Sequence, residues 1–207
     1  MKKLLAMGAF LSLAALAEGF SAGIDAGIYD GNLSGSLSLI GADSMAGANP
    51  VSWRVGVSYS ASDVLDRELL DPSSEESGYS LVTFIDGLYS MTPEDDLVEA
   101  GIYAGPRFRY LNGSVSVSGQ KILQIDSSSF GLGAGAFANY PLSERASLSL
   151  DAGMDYFINP DIMCDGINTD PETLFCEEIE DNVAASQLVI KARIGISYAI
   201  GGVTGLD

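Results

Sequence analysis

Beyond residue 20 apolar and polar residues alternate with a period of two. That is the side-chain spacing of a strand with unlike faces. In 51–60, Val51, Trp53, Val55, Val57 and Tyr59 alternate with Ser52, Arg54, Gly56, Ser58 and Ser60. In 98–110, Val98, Ala100, Ile102, Ala104, Pro106, Phe108 and Tyr110 form one set, and Glu99, Gly101, Tyr103, Gly105, Arg107 and Arg109 the other. Phe130 to Tyr140 alternates in the same way with glycines, Ser129, Phe137 and Asn139. In 147–156 the apolar set is Leu148, Leu150, Ala152, Met154 and Tyr156, against Ser147, Ser149, Asp151, Gly153 and Asp155. In 188–198 it is Leu188, Ile190, Ala192, Ile194, Ile196 and Tyr198, against Val189, Lys191, Arg193, Gly195 and Ser197. Segment 79–90 predicts a sixth strand with a less regular face, and 22–29 and 33–40 two weaker ones, making eight.

The connections come in two lengths. Residues 91–96 and 141–144 carry turn chemistry, whereas 61–77, 111–127 and 158–185 are long, polar and acidic and are expected as loops. An up-and-down path gathers the long connections at one end and the short ones at the other. Short inner turns, long outer loops and an even strand number are the layout of an eight-stranded antiparallel transmembrane β-barrel.

The N-terminus supplies the matching address. Met1-Lys2-Lys3 is a short basic start, Leu4–Ala14 is apolar, and Ala15-Leu16-Ala17 is a small-residue cleavage site. Residues 1–17 therefore read as a signal peptide and 18–207 as the exported barrel. No later stretch reaches the ~18 uninterrupted apolar residues of a membrane helix.

Two barrels carry such alternation. A soluble lipocalin-like barrel turns its apolar face inward around a ligand; a membrane barrel turns it outward into lipid. In the five regular strands the apolar face holds no Asp, Glu, Lys or Arg, as hydrocarbon demands. Aromatic residues fall at its ends. Trp53, Tyr89, Tyr140 and Tyr198 lie toward the short turns, and Tyr59, Tyr79, Tyr110, Phe130 and Tyr156 toward the long loops. Two such girdles around an aliphatic band fit two membrane–water interfaces. The other face is glycine and serine with charges interspersed. Arg54, Glu99, Arg107, Arg109, Asp151, Asp155, Lys191 and Arg193 belong to it, with Asp25 and Asp86 as additions. Inside a narrow eight-stranded lumen these charges are expected to pair.

At this point the chain resembles the small outer-membrane β-barrel family of OmpA and OmpX type. The resemblance covers residues 20–200 and rests on architecture and on stretches such as Gly101-Ile102-Tyr103-Ala104-Gly105-Pro106-Arg107-Phe108-Arg109-Tyr110. It implies an outer-membrane location in a diderm bacterium. One departure stands out: such barrels usually end on an aromatic residue, whereas Tyr198 is followed by Ala199 to Asp207.

Composition narrows the function. A formal net charge of −18 argues against nucleic acid. The complete lack of histidine removes Ser-His and Cys-His nucleophile pairs and His-based metal sites. No cofactor or resident metal is indicated, and Glu99 or Asp151 beside Arg and Lys reads as structural pairing rather than carboxylate catalysis. Cys164 and Cys176, twelve apart in one acidic exported loop, read as a disulfide. The acid-rich runs 63–76 and 165–181 suit a solvated outer surface; divalent cations or a basic partner are the alternative readings. The expectation is a non-catalytic outer-membrane barrel with a structural or surface-interaction role. A small passive pore and a periplasmic ligand-binding barrel are the alternatives.

Overall fold

The computed structural model describes residues 20–42, 50–62, 74–92, 97–166 and 187–200. The signal segment 1–17 and Cys176 lie outside them, as do most of the acidic runs and hence the Cys164–Cys176 pairing. Eight strands follow one another: β1 (Phe20–Tyr29), β2 (Asn32–Ala42), β3 (Val51–Ala61), β4 (Ser74–Ser90), β5 (Glu99–Val117), β6 (Gln120–Pro141), β7 (Ala146–Gly166) and β8 (Leu188–Ala199). Each pairs antiparallel with its neighbours, and β1 with β8 closes the barrel.

The period-two pattern decides which way each strand faces. Ile24, Leu37, Ile102, Leu150, Ile190 and Ile194 are exposed on the outer wall, while Arg107, Asp155 and Lys191 are at most 2% exposed inside it. An apolar exterior with a charged interior inverts the arrangement of a soluble barrel. The faces are therefore those of a barrel in lipid.

The strands are unequal. β1, β2, β3 and β8 have 10 to 12 residues, close to what a tilted strand needs to cross a bilayer. β4 to β7 have 17 to 22. At ~3.3 Å per residue along tilted strands the extra length carries a four-stranded wall roughly 20 Å past the rest.

Segment 111–127, expected as a loop, is thus corrected to the ends of β5 and β6 joined by Ser118-Gly119. Residues 74–77 and 158–166, also expected as loop, belong to β4 and β7. The reason is a swap of polarity between faces. Below Tyr110 the outward residues are apolar. Above it Asn112, Ser114, Gln124 and Asp126 point outward, while Leu111, Val115, Leu123 and Ile125 point inward and are buried. Alternation continues, but the outer surface now meets water. Ser118-Gly119 (φ 51° and 77°) and Asp30-Gly31 (φ 52° and 77°) each close a two-residue hairpin, with both residues left-handed as such turns require.

Candidate functional site

The polar interior gathers into one network across the barrel. Arg54 on β3 meets Asp86 on β4 at 2.8 Å and Asp151 on β7 at 2.8 Å. Arg107 on β5 meets Asp86 at 2.6 Å and, through Nε, Asp155 on β7 at 2.9 Å. Lys191 on β8 donates to Asp155 at 2.7 Å, and Arg193 stands 3.8 Å from Asp151, its cross-strand partner. The pairs Arg54–Asp151 and Arg107–Asp155 bridge strands that are not neighbours, so they span the lumen.

Within this cluster four bases face three carboxylates. Aromatic faces receive the surplus positive charge. The Arg54, Arg107 and Arg193 guanidiniums each lie 5.5 Å from the Phe84 ring centre. Tyr103 lies under Arg54 at 4.7 Å and near Lys191 at 5.2 Å, and donates its hydroxyl to Asp151 at 3.1 Å. Buried cations over ring faces gain from the ring quadrupole in a place where water is excluded.

Glycine makes room for this packing. A Cβ on Gly133 would overlap both the Arg107 guanidinium and the Asp155 carboxylate, and one on Gly135 or Gly153 would overlap the Tyr103 hydroxyl. The glycines of β6 and β7 thus form the concave wall against which the large side chains of β5 rest.

Layers close the network on both sides. Toward the long-strand end Tyr29, Val82, Phe157 and Val189 form an apolar cluster, and the Tyr29 hydroxyl donates to Asp155 at 3.2 Å. Arg109 sits in this layer, 4.1 Å from the Phe157 ring centre and donating to Ser129 at 3.2 Å. Toward the short turns Leu88, Tyr103 and Phe137 form a second apolar cluster. Beside it a polar vestibule of about 290 Å³ is lined by Asp25, Ser38, Ser149 and the undersides of Arg54 and Asp151. Asp25 accepts from Ser36 at 3.1 Å and Ser149 at 2.8 Å. The vestibule therefore ends at the ion pairs.

Of the eight lumen charges named from sequence, the structure brings six together: Arg54, Arg107, Asp151, Asp155, Lys191 and Arg193. Arg109 lies in the apolar layer next to them. Glu99 stands apart at the mouth, exposed and accepting from Asn139 at 3.0 Å. Asp86, an addition to that set, is central and 1% exposed. Sequence reasoning does not single out Phe84, Phe157 and Tyr29 as interior residues. The parity of Tyr103 and Phe137, on the polar sets of their strands, is the available signal that rings also fill the lumen.

The nine aromatic residues named for the girdles all lie on the outward set. Tyr59, Tyr89, Phe130, Tyr140, Tyr156 and Tyr198 are exposed; Trp53, Tyr79 and Tyr110 are half-buried. Neighbouring strands bring some of these rings together: Tyr59 stacks on Tyr79 at 5.7 Å, and Phe130 meets Phe108 at 5.0 Å.

No protein-family model and no curated protein matches the chain. Among solved structures it is similar to a major outer membrane protein from Thermus thermophilus, at 25% identity and a TM-score of 0.71, over 89% of this chain and 100% of that one. It is also similar to the N-terminal β-barrel domain of OprF from Pseudomonas aeruginosa, at 11% identity and a TM-score of 0.52, over 89% of this chain and 98% of that one. The fold is that of the small eight-stranded outer-membrane β-barrels.

Proposed function

We propose that the chain is a sealed, non-catalytic barrel of the bacterial outer membrane that carries a surface-exposed β-sheet. The short-turn end faces the periplasm and the extended ends of β4 to β7 stand outside the cell. The similarity to a major outer membrane protein supports the location, as does the bare apolar exterior. The carrying observation is the lumen. Arg54, Arg107 and Lys191 are tied to Asp86, Asp151 and Asp155 at 2.6–2.9 Å between two apolar layers. A solute path would have to break several buried ion pairs at once, each break costing about 3–5 kcal/mol.

The same packing supports a structural part for the interior charges. Asp86, Asp151 and Asp155 each stand between two cations, so their oxygens are engaged in ion pairs rather than free to act as general bases. Function then falls to the outer surface. The projecting ends of β5 and β6 are polar outside and apolar inside, like the wall of a soluble protein, and the wall sets a surface for contact roughly 20 Å from the bilayer. A role for the acidic loops in holding divalent cations or a basic partner is consistent with their charge, and the cysteine pair would staple the longest of them.

Planar-bilayer recording tests the reading against the passive pore. The purified protein should insert without producing steady ohmic steps. Stable channels whose conductance shifts in Asp155→Ala or Arg54→Ala would mean that the charges line an open path.

A further inference from the structure

Between β1 and β2 the bulky side chains of the lipid-facing wall stop at an apolar groove. Ala26 of β1 and Gly35 of β2 are cross-strand partners, set between the pairs Ile24–Leu37 and Ile28–Leu33. With Val57, Tyr59, Leu81 and Ile194 around them they leave an apolar groove of about 700 Å³. Gly35 is not needed for packing: a Cβ there meets nothing nearer than the Asp25 carbonyl at 3.8 Å. Glycine weakens a strand and often marks where another molecule approaches the backbone.

A second feature adjoins the upper end of the groove. Tyr59, on its rim, stacks on Tyr79, and Tyr79 lies 6.5 Å from Tyr110. Beyond Tyr110 the polar residues begin. The Tyr110 hydroxyl, the Asn112 amide at 2.6 Å and the Gln124 amide at 3.2 Å all donate to Asp126. Lys121 is turned to Gln124 at 2.9 Å. A ledge of three rings thus leads from the groove to an amide-and-carboxylate cluster at the level where headgroups lie.

We propose that groove and ledge together bind one outer-leaflet glycolipid with an uncharged sugar headgroup. The inference rests on the membrane-barrel reading. The groove is continuous with the lipid-facing belt, so its occupant comes from the bilayer, and its apolar lining takes an acyl chain. Tyrosine faces pack against the C–H face of a sugar, while amides and a carboxylate bond its hydroxyls. Asp126 at the end of the ledge disfavours a phosphate headgroup.

Native mass spectrometry of the detergent-purified protein tests this. The probes are monogalactosyldiacylglycerol and phosphatidylglycerol with the same acyl chains. The wild type should retain one galactolipid, about tenfold more readily than phosphatidylglycerol. Gly35→Phe, which fills the groove from a position whose Cβ meets nothing nearer than 3.8 Å, should abolish that retention while leaving unheated gel mobility as in the wild type. Asp126→Ala should keep lipid bound but lose the headgroup preference. Equal retention of both lipids by the wild type, retention of neither, or undiminished retention by Gly35→Phe would overturn the proposal. Dimers dispersed by Gly35→Phe would also overturn it and assign the groove to a second copy. A protein that stays in plain buffer and shows no mobility shift on heating fails the membrane reading itself, which separates the two failures.

Discussion

Replacing Asp155 with alanine removes the carboxylate on which the upper half of the plug converges. Asp155 is 1% exposed and accepts from Arg107 at 2.9 Å, Lys191 at 2.7 Å and Tyr29 at 3.2 Å. These contacts do not add, because they share one group. Arg107 keeps Asp86 at 2.6 Å, and Tyr29 loses only a neutral hydroxyl bond. Lys191, 2% exposed, is left without the carboxylate it pairs with. One uncompensated buried ammonium sets the size of the effect at about 3–5 kcal/mol. Asp155→Asn keeps the shape and an acceptor oxygen and should fall lower, at about 1–3 kcal/mol. Asp155→Ala combined with Lys191→Met removes both charges and should regain most of the loss. Urea unfolding of the protein refolded in detergent, followed by Trp53, the sole tryptophan, reports each value by linear extrapolation. A loss below about 0.5 kcal/mol in Asp155→Ala, or a double variant no more stable than the single one, would refute the plug as a coupled network.

Other consequences are local. Gly133→Ala should cost about 1–3 kcal/mol by pressing on Arg107 and Asp155, whereas Gly87→Ala, whose Cβ would meet nothing nearer than 3.9 Å, should stay within about 0.5 kcal/mol of the wild type; the same unfolding assay separates them. Asp126 lies beyond the outer girdle, and the hydrogen bond from Tyr110, then that from Asn112, holds its carboxyl below the usual carboxylate range. It therefore adds stability above its unfolded pKa that disappears as pH falls through the folded one. Tyr110→Phe should raise the Asp126 titration midpoint seen by NMR and shrink that acid-sensitive contribution. Reduction should speed proteolysis between Cys164 and Cys176 without releasing the barrel. A disulfide there constrains roughly 3 kcal/mol of loop entropy, and that gain stays in the loop; free thiols in protein taken from the native envelope would refute the pairing.

Much of the fold is legible in the sequence because lipid imposes a sharp rule on every outward position. Ile24, Leu37, Ile102, Leu150 and Ile194 all obey it, so alternation yields the strands, and the charge-free apolar face with aromatic residues at its ends yields their facing. Segment 111–127 misleads for a related reason. Outside the bilayer the rule reverses, and the polar outward residues Asn112, Ser114, Gln124 and Asp126 look like a loop unless Leu111, Val115, Leu123 and Ile125 are read as the other face. The lumen is partly legible. Charge on the inward set names Arg54, Arg107, Asp151, Asp155, Lys191 and Arg193, and register explains why Arg193 faces Asp151. Glu99 shares their parity but sits near the start of its strand, at the mouth, where water solvates it. Parity says which side a residue faces and nothing about depth. Cross-lumen contacts such as Arg54–Asp151 depend on barrel closure and tilt, which no local pattern encodes, and the same holds for Phe84 at the centre of three guanidiniums.

Fractionation of the native envelope, read together with gel mobility, tests the central claim most directly. The mature protein should stay with the outer-membrane fraction through high salt and alkaline washes, require detergent for release, and migrate faster unheated than boiled. Closure satisfies every strand edge, and this is what resists detergent unfolding. Recovery in the soluble periplasmic fraction, with the same mobility before and after boiling, would contradict the account and turn the apolar face inward.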